Sequence, residues 1–331
     1  MEAKETIDNK YVILQEKGEG ASSNVFLVED SNTNQIYAAK VLKESSKLFD
    51  TEIEILNSLK SIKNPYIINL IKNDTGFIIR KDKPIEKKQY LILEYAEKGE
   101  LFNYISFIRK GFEEKYSKVI FHKILKGVQA FHNAGICHRD LKLENILLDK
   151  DYNPKICDFG FATYNTGNLS NYLGTQNYAA PEILSHKEYD GYKADIFSLG
   201  VILFHLVACK PCFAFAHIKN DLYKLIAIKH YKLFWDKIGK IIKGVSKEFK
   251  NLYNKMIAYK PYERPNIEEI LNHEWMKEIR DLNKEQYEEL ENEIRLEFME
   301  RENIIKEELE KIKEKKQHLD NNGNKKEDEK G

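Results

Sequence analysis

Disulfide chemistry has little to work with in this chain. Its four cysteines, at positions 137, 157, 209 and 212 of 331, all stand in apolar contexts. That density excludes a small secreted scaffold stapled by bridges and points to reduced thiols. Cys209 and Cys212 have a zinc-like spacing, but no second Cys or His pair completes four ligands, so packing is the expected role. Net charge is absent as well, with 53 Lys and Arg against 53 Asp and Glu. No basic stripe with interleaved aromatics argues for a nucleic-acid partner, and RKDKPIEKK at 80–88 reads as a solvated loop between strands. No run reaches the roughly 20 apolar residues that span a bilayer. The longest, SLGVILFHLVA, is interrupted by His205 and reads as a buried helix. The N-terminus carries acids and no apolar h-region, so no secretory signal is expected, nor a membrane partner, and the expected setting is cytoplasmic or nuclear.

What the chain does have is concentrated between His138 and Gly160, HRDLKLENILLDKDYNPKICDFG. Two short loops joined by a hairpin carry a carboxylate, a lysine, an asparagine and a second carboxylate. Asp140 can accept the proton of an incoming hydroxyl, and Lys142 can neutralise a migrating phosphoryl group. Asn145 and Asp158 can hold Mg2+ on nucleotide phosphates. Upstream, Gly18-Glu19-Gly20-Ala21-Ser22-Ser23-Asn24-Val25 lies between two β-type runs, as a phosphate-covering hairpin should. Lys40, in YAAKVL, follows fifteen residues after Val25. Glu52 opens an amphipathic helical run with Ile55 and Leu56 on its inner face and would pair with Lys40; Glu54 is the alternative partner.

These motifs, in this order, resemble the eukaryotic protein kinases, and the resemblance covers roughly residues 11–276. It implies an α+β, bilobal protein-kinase fold: a β-rich N-lobe over about 11–94 and a helical C-lobe over about 95–276, preceded by an extension at 1–10. ATP and Mg2+ are the implied nucleotide and metal. The family pattern makes Leu93 the gatekeeper of the adenine pocket and assigns the backbone of Glu94 and Ala96 to the adenine edge. Two apolar stacks would join the lobes: Leu56, Leu70, His138 and Phe159 in one, and Val25, Ala38, Leu101 and Leu147 with the adenine ring in the other. Glu182 of APE would pair with Arg264. Cys157, directly before Asp158, reads as a small buried residue, with a reactive thiol as the sharper alternative.

Lys142, two residues after Asp140, is the pattern of serine/threonine kinases, and Thr175 in GTQNY would bridge Asp140 and Lys142. Glu100 and Glu144 match positions at which basophilic kinases read an arginine three residues before the acceptor. KLEN, YAAPEIL and DLYKLIAIKHYKLFW look most like the calcium/calmodulin-dependent and AMP-activated group. KLFWDKIGKIIKGV resembles a calmodulin target, yet its place inside the domain favours packing. Two departures stand out: Ser23 replaces the third glycine of the phosphate loop, and Asn171 stands where relatives carry an activating threonine whose phosphate Arg139 would bind. The expectation is activity without phosphate on that loop.

The last 51 residues differ in kind, with 17 acidic against 11 basic side chains. Tyr287, Leu290, Ile294, Phe298, Ile305, Leu309 and Ile312 recur at steps of three and four, with one break at Arg301. A charged amphipathic helix over 281–316 is expected, followed by a disordered tail over 317–331. It could pack on the large lobe, self-associate as in a coiled coil, or autoinhibit. The predicted function is transfer of the ATP γ-phosphate to Ser or Thr of protein substrates, in basic contexts; the alternative is a pseudokinase-like scaffold.

Overall fold

A computed structural model describes residues 4–44, 46–239, 242 and 244–327, with side chains described up to 314. The N-terminal part is a sheet: β1 (Thr6–Ile7), β2 (Tyr11–Glu19), β3 (Ser23–Asp30), β4 (Ile36–Leu42), β5 (Leu70–Ile79) and β6 (Glu86–Glu94). They close in the order β1-β2-β3-β4-β6-β5. Alternation drives the pairing: Phe26 and Val28 of β3, Ala39 and Val41 of β4, and Tyr90 and Ile92 of β6 fill one face. Within the stretch 1–10, expected as an extension, Thr6 and Ile7 supply the closing strand, pairing with both β2 and Ile79–Ile78 of β5, while residues 1–3 lie outside the described residues. Ile7 is fully buried there.

Helix α1 (Lys47–Lys60) interrupts the sheet between β4 and β5 and is capped by the Ser46 hydroxyl. Beyond β6 the chain passes through β7 (Gly99–Glu100) and the short α2 (Leu101–Ser106) into α3 (Glu114–Asn133). The strands β8 (Ile136–Cys137), β9 (Ile146–Leu148), β10 (Pro154–Ile156) and β11 (Thr163–Tyr164) carry the loops of interest. The helices α4 (Pro181–Leu184), α5 (Gly191–Ala208), α6 (Asp221–Ala227), α7 (Tyr231–Ile238), α8 (Lys247–Met256), α9 (Ile267–Leu271) and α10 (Lys277–Asp281) complete the larger lobe. α5 is long and apolar enough to cross a membrane, but it is the core helix of this lobe, with most of its length buried. Trp235, Phe234 and Ile238 of α7 are buried, and the Trp235 indole donates to Asn254, so the α7 part of the calmodulin-like segment is packing.

The last helix, α11 (Lys284–Glu327), lies along the larger lobe with Ile294 and Phe298 buried. It continues beyond residue 316, so 317–327, expected as disordered, are helical, while 328–331 lie outside the described residues. The break at Arg301 in its apolar stripe is no break in burial, since Arg301 is only 2% exposed.

Candidate active site

The hairpin β9-β10 sets the site's geometry. Its register pairs Ile146 with Ile156, so Asn145 and Asp158 leave the same end of the hairpin. The Cys157 amide closes that end on the Asn145 carbonyl at 3.0 Å. Arg139 and Asp158 both sit in the left-handed region, at φ 66° and 60°, where residues other than glycine are strained. Asp195, fully buried at the start of α5, holds the first of these loops. Its carboxylate accepts the amides of His138 and Arg139, both at 2.8 Å, and faces His132 Nε2 at 2.9 Å. The sequence reading gave Asp195 no role in the site; a carboxylate inside an otherwise apolar helical run was the available signal. His138 accepts the Asp140 amide at Nδ1, which leaves its proton on Nε2, facing the Cys157 carbonyl at 3.0 Å.

Around Asp140 three side chains converge. The Thr175 hydroxyl donates to Oδ1 at 2.8 Å, and Lys142 Nζ donates to Oδ2 at 2.8 Å and to Thr175 at 2.9 Å. Asn145 Nδ2 reaches the Asp140 carbonyl at 2.9 Å and its Oδ2 at 3.2 Å. Gly174, at φ +98°, is required for this closeness, because a Cβ there would lie 2.5 Å from the Arg139 carbonyl.

A second charged cluster lies on the N-lobe side. Lys40 Nζ donates to Glu52 at 2.6 and 2.8 Å and to Asp158 at 3.0 Å. Glu54, the alternative partner, is exposed. Burial favours the neutral amine of Lys40, but the carboxylates of Glu52 and Asp158 outweigh it and raise its pKa. Burial likewise opposes ionisation of Asp158, yet the Lys40 charge holds its carboxyl below the usual range. The Asp158 side chain is half exposed where that of Lys40 is 14% exposed, so oxygen surface remains open toward the cleft. A Cβ at Gly160 would stand 3.3 Å from Asp158 Oδ1 and 3.7 Å from both Glu52 and Lys40, so this glycine keeps the cluster clear.

The cleft walls follow from the same strands. Gly18 and Gly20 sit at the β2-β3 turn, Val25 pairs with Lys40, and Ala38 pairs with Leu93. Val25, Ala38, Leu93 and Leu147 are half-buried, and Ala96 is buried. The Glu94 amide donates to the Asn69 carbonyl, so Glu94 can offer a base only its carbonyl. Leu56, Leu70, His138 and Phe159 are all buried, with the His138 and Phe159 rings 4.9 Å apart. Burial pushes the Cys157 thiol up, which disfavours its thiolate; Cys209 and Cys212 are free, and no metal-holding group of three occurs among the described residues.

Farther along the cleft, Glu100 lies beside Glu144. Burial first, and then the Glu144 charge, raise the Glu100 carboxyl against the pull of Lys142. Arg264 meets Glu182 through two bonds of 2.6 and 2.8 Å. The segment after Gly160 is held by contacts of its own. Leu169 and Tyr189 exchange backbone bonds of 2.9 and 2.8 Å, and the Tyr189 hydroxyl donates to the Asn171 carbonyl at 3.1 Å. Arg139 donates through Nε to the Phe161 carbonyl at 2.6 Å.

Comparison with known proteins agrees with this arrangement. The protein kinase domain model matches residues 11–276. The chain is 34% identical over 287 residues to CBL-interacting protein kinase 26 of Oryza sativa subsp. japonica, covering 83% of this chain and 54% of that protein. It is 34% identical over 287 residues to the probable serine/threonine-protein kinase MARK-B of Dictyostelium discoideum, with coverage of 83% and 37%. Sperm motility kinase 2B of Mus musculus is 31% identical over 277 residues, with coverage of 83% and 53%. The chain thus spans about half or less of the length of these curated relatives. It belongs to the protein kinase family.

Proposed function

We propose that this chain transfers the γ-phosphate of ATP to serine or threonine hydroxyls of protein substrates. The observation that carries the reading is the triangle of Asp140, Lys142 and Thr175, closed at 2.8–2.9 Å beside Asn145. In this assignment Asp140 orients the incoming hydroxyl and takes its proton as the oxygen–phosphorus bond forms and the bond to ADP breaks. Lys142 offsets charge on the migrating group, and Lys40, fixed by Glu52, meets the nucleotide phosphates. Asn145 and Asp158 are hard oxygen donors suited to Mg2+, which when bound neutralises phosphate charge. Their shared end of the hairpin, the half-exposed Asp158 carboxylate and the clearance at Gly160 support that fit.

The carboxylates of Glu100 and Glu144 support a preference for arginine three residues before the acceptor, since burial and then the Glu144 charge raise the Glu100 carboxyl, and an arriving cation would relieve that. The complete set of Lys40, Asp140, Asn145 and Asp158 disfavours the scaffold alternative. Four free thiols are in keeping with a cytoplasmic or nuclear setting. For α11, the contacts with the larger lobe support docking over autoinhibition. Exposed Leu296, Met299, Ile304, Leu309 and Ile312 favour self-association as an additional role, which light scattering of the full chain would test. The test of the main reading is phosphate transfer from ATP with Mg2+ to serine and threonine peptides. Wild type should transfer and Asp158→Ala should not; ATP binding without transfer by wild type across varied peptides would favour the scaffold.

A further inference from the structure

We propose that α11 is a permanent brace that positions Glu100, and so sets how well the kinase discriminates basic substrates. The proposal rests on the basic-substrate reading above. Glu100 is the N-cap residue of α2, a helix of six residues whose cap makes no side-chain hydrogen bond. So short a helix is not stable by itself in water, and it must keep Glu100 beside the like charge of Glu144. Its place depends on what is packed against it.

Three residues within little more than one turn of α11 supply that packing. Phe298, fully buried, enters a nest of rings. It stands edge-on to Tyr104 of α2 at 5.3 Å, 5.0 Å from Phe112, and stacked on Tyr152 at 5.3 Å with 6° between planes. Arg301 takes up carbonyls of α2 and of the segment after it: Tyr104 at 2.9 Å, and Lys110 and Gly111 at 2.8 Å, while lying 3.8 Å from the centre of the Phe112 ring. One guanidinium thereby ties together three backbone acceptors, one in α2 and two in the segment that follows it. Glu302 accepts Lys98 Nζ at 2.9 Å and the Tyr152 hydroxyl. Lys98 lies two residues before Glu100, and its carbonyl accepts the Tyr104 hydroxyl at 3.2 Å. The strand carrying Glu100 is pinned on its other edge by β9, where Glu100 pairs with Leu147. The segment 98–106 is therefore held between β9 and α11. None of the α11 contacts described reaches Asp140, Lys142, Asn145, Asp158 or Thr175, so Phe298, Arg301 and Glu302 are positioning residues.

The test uses the full chain and two peptides that differ only in having arginine or alanine three residues before the serine. Glu100→Gln serves as the reference, with Glu302→Gln and Arg301→Met as the brace variants. Both brace variants should raise KM for the arginine peptide by about tenfold, the factor that ~1.4 kcal/mol represents. KM for the alanine peptide, KM for ATP and kcat should stay near wild type, and amide exchange over residues 101–106 should quicken. Glu302→Gln, the milder change, keeps the test decisive if Arg301→Met unfolds. An arginine-to-alanine selectivity unchanged in the brace variants while Glu100→Gln abolishes it would overturn the proposal, as would an equal loss on both peptides. A wild type without arginine preference, or an unaffected Glu100→Gln, would overturn the basic-substrate reading and the proposal with it.

Discussion

Replacing Arg264 with methionine should unfold the larger lobe's anchor for the substrate-facing segment. The Arg264 side chain is fully buried and that of Glu182 is 7% exposed, and besides the two bonds to Glu182 the guanidinium donates to the carbonyls of Ala258 and Lys193, both at 2.9 Å. It also lies over the Phe197 ring at 5.0 Å. Methionine fills a similar volume, so the loss is electrostatic: a carboxylate in a dry interior with its partner gone. Breaking a buried pair from one side costs about 3 to 5 kcal/mol, a large share of the roughly 5 to 15 kcal/mol that holds a domain folded. For a domain of this size that corresponds to a fall of about 10 °C in melting temperature. Urea unfolding of wild type, Arg264→Met, Glu182→Gln and the double variant would measure it. Each single change should be strongly destabilising and the double change much less than their sum, a coupling above about 2 kcal/mol. Single changes within about 1 kcal/mol of wild type, or strict additivity, would refute the account of this pair.

Other outcomes follow from the same geometry. Removing α11 from residue 284 onward should lower stability and activity together, because Tyr104, Phe112 and Tyr152 lose Phe298; an accelerated enzyme in peptide assays would point to inhibition instead. Phosphatase treatment should leave most of the activity, since Leu169, Tyr189 and Asn171 tie the loop down through their own hydrogen bonds, and loss of most of the rate would contradict this. His205, buried in α5, has its pKa lowered by burial from 6.5 to about 4. Its unfolded imidazole takes up a proton first, so its contribution is complete above about pH 6.5 and lost as pH falls toward 4. His205→Phe should flatten the stability profile in that window, a difference on the order of 3 kcal/mol at its widest; an unaltered slope in acid unfolding would count against it.

The chemistry of the cleft was legible because its parts are local. Asp140, Lys142 and Asn145 lie within six residues, and a short hairpin whose register follows from ILL and PKI brings Asp158 back to them. Lys40 and Glu52 could be paired through the family resemblance, in which an apolar residue, here Leu56, follows the pairing glutamate by four positions. What escaped the sequence reading depends on distant partners. Thr6 and Ile7 form only a two-residue strand, too short for an alternating pattern, and are recruited by β2 and β5. Asp195 looks like an ordinary helix-start residue until the His138 and Arg139 amides converge on it. Arg301 read as an interruption, since periodicity counts apolar side chains and cannot know that three carbonyls wait in and after α2. The Glu94 amide could be excluded from base recognition only once Asn69 was seen opposite it.

The central claim, that Asp140 acts on the substrate hydroxyl in a phosphoryl transfer, is tested most directly with Asp140→Asn. ATP affinity measured by calorimetry should change little, because Lys40, Asn145 and Asp158 remain, while transfer to a serine peptide should fall by about 10² to 10⁴. Transfer by Asp140→Asn at the wild-type rate, with ATP bound as before, would contradict the account.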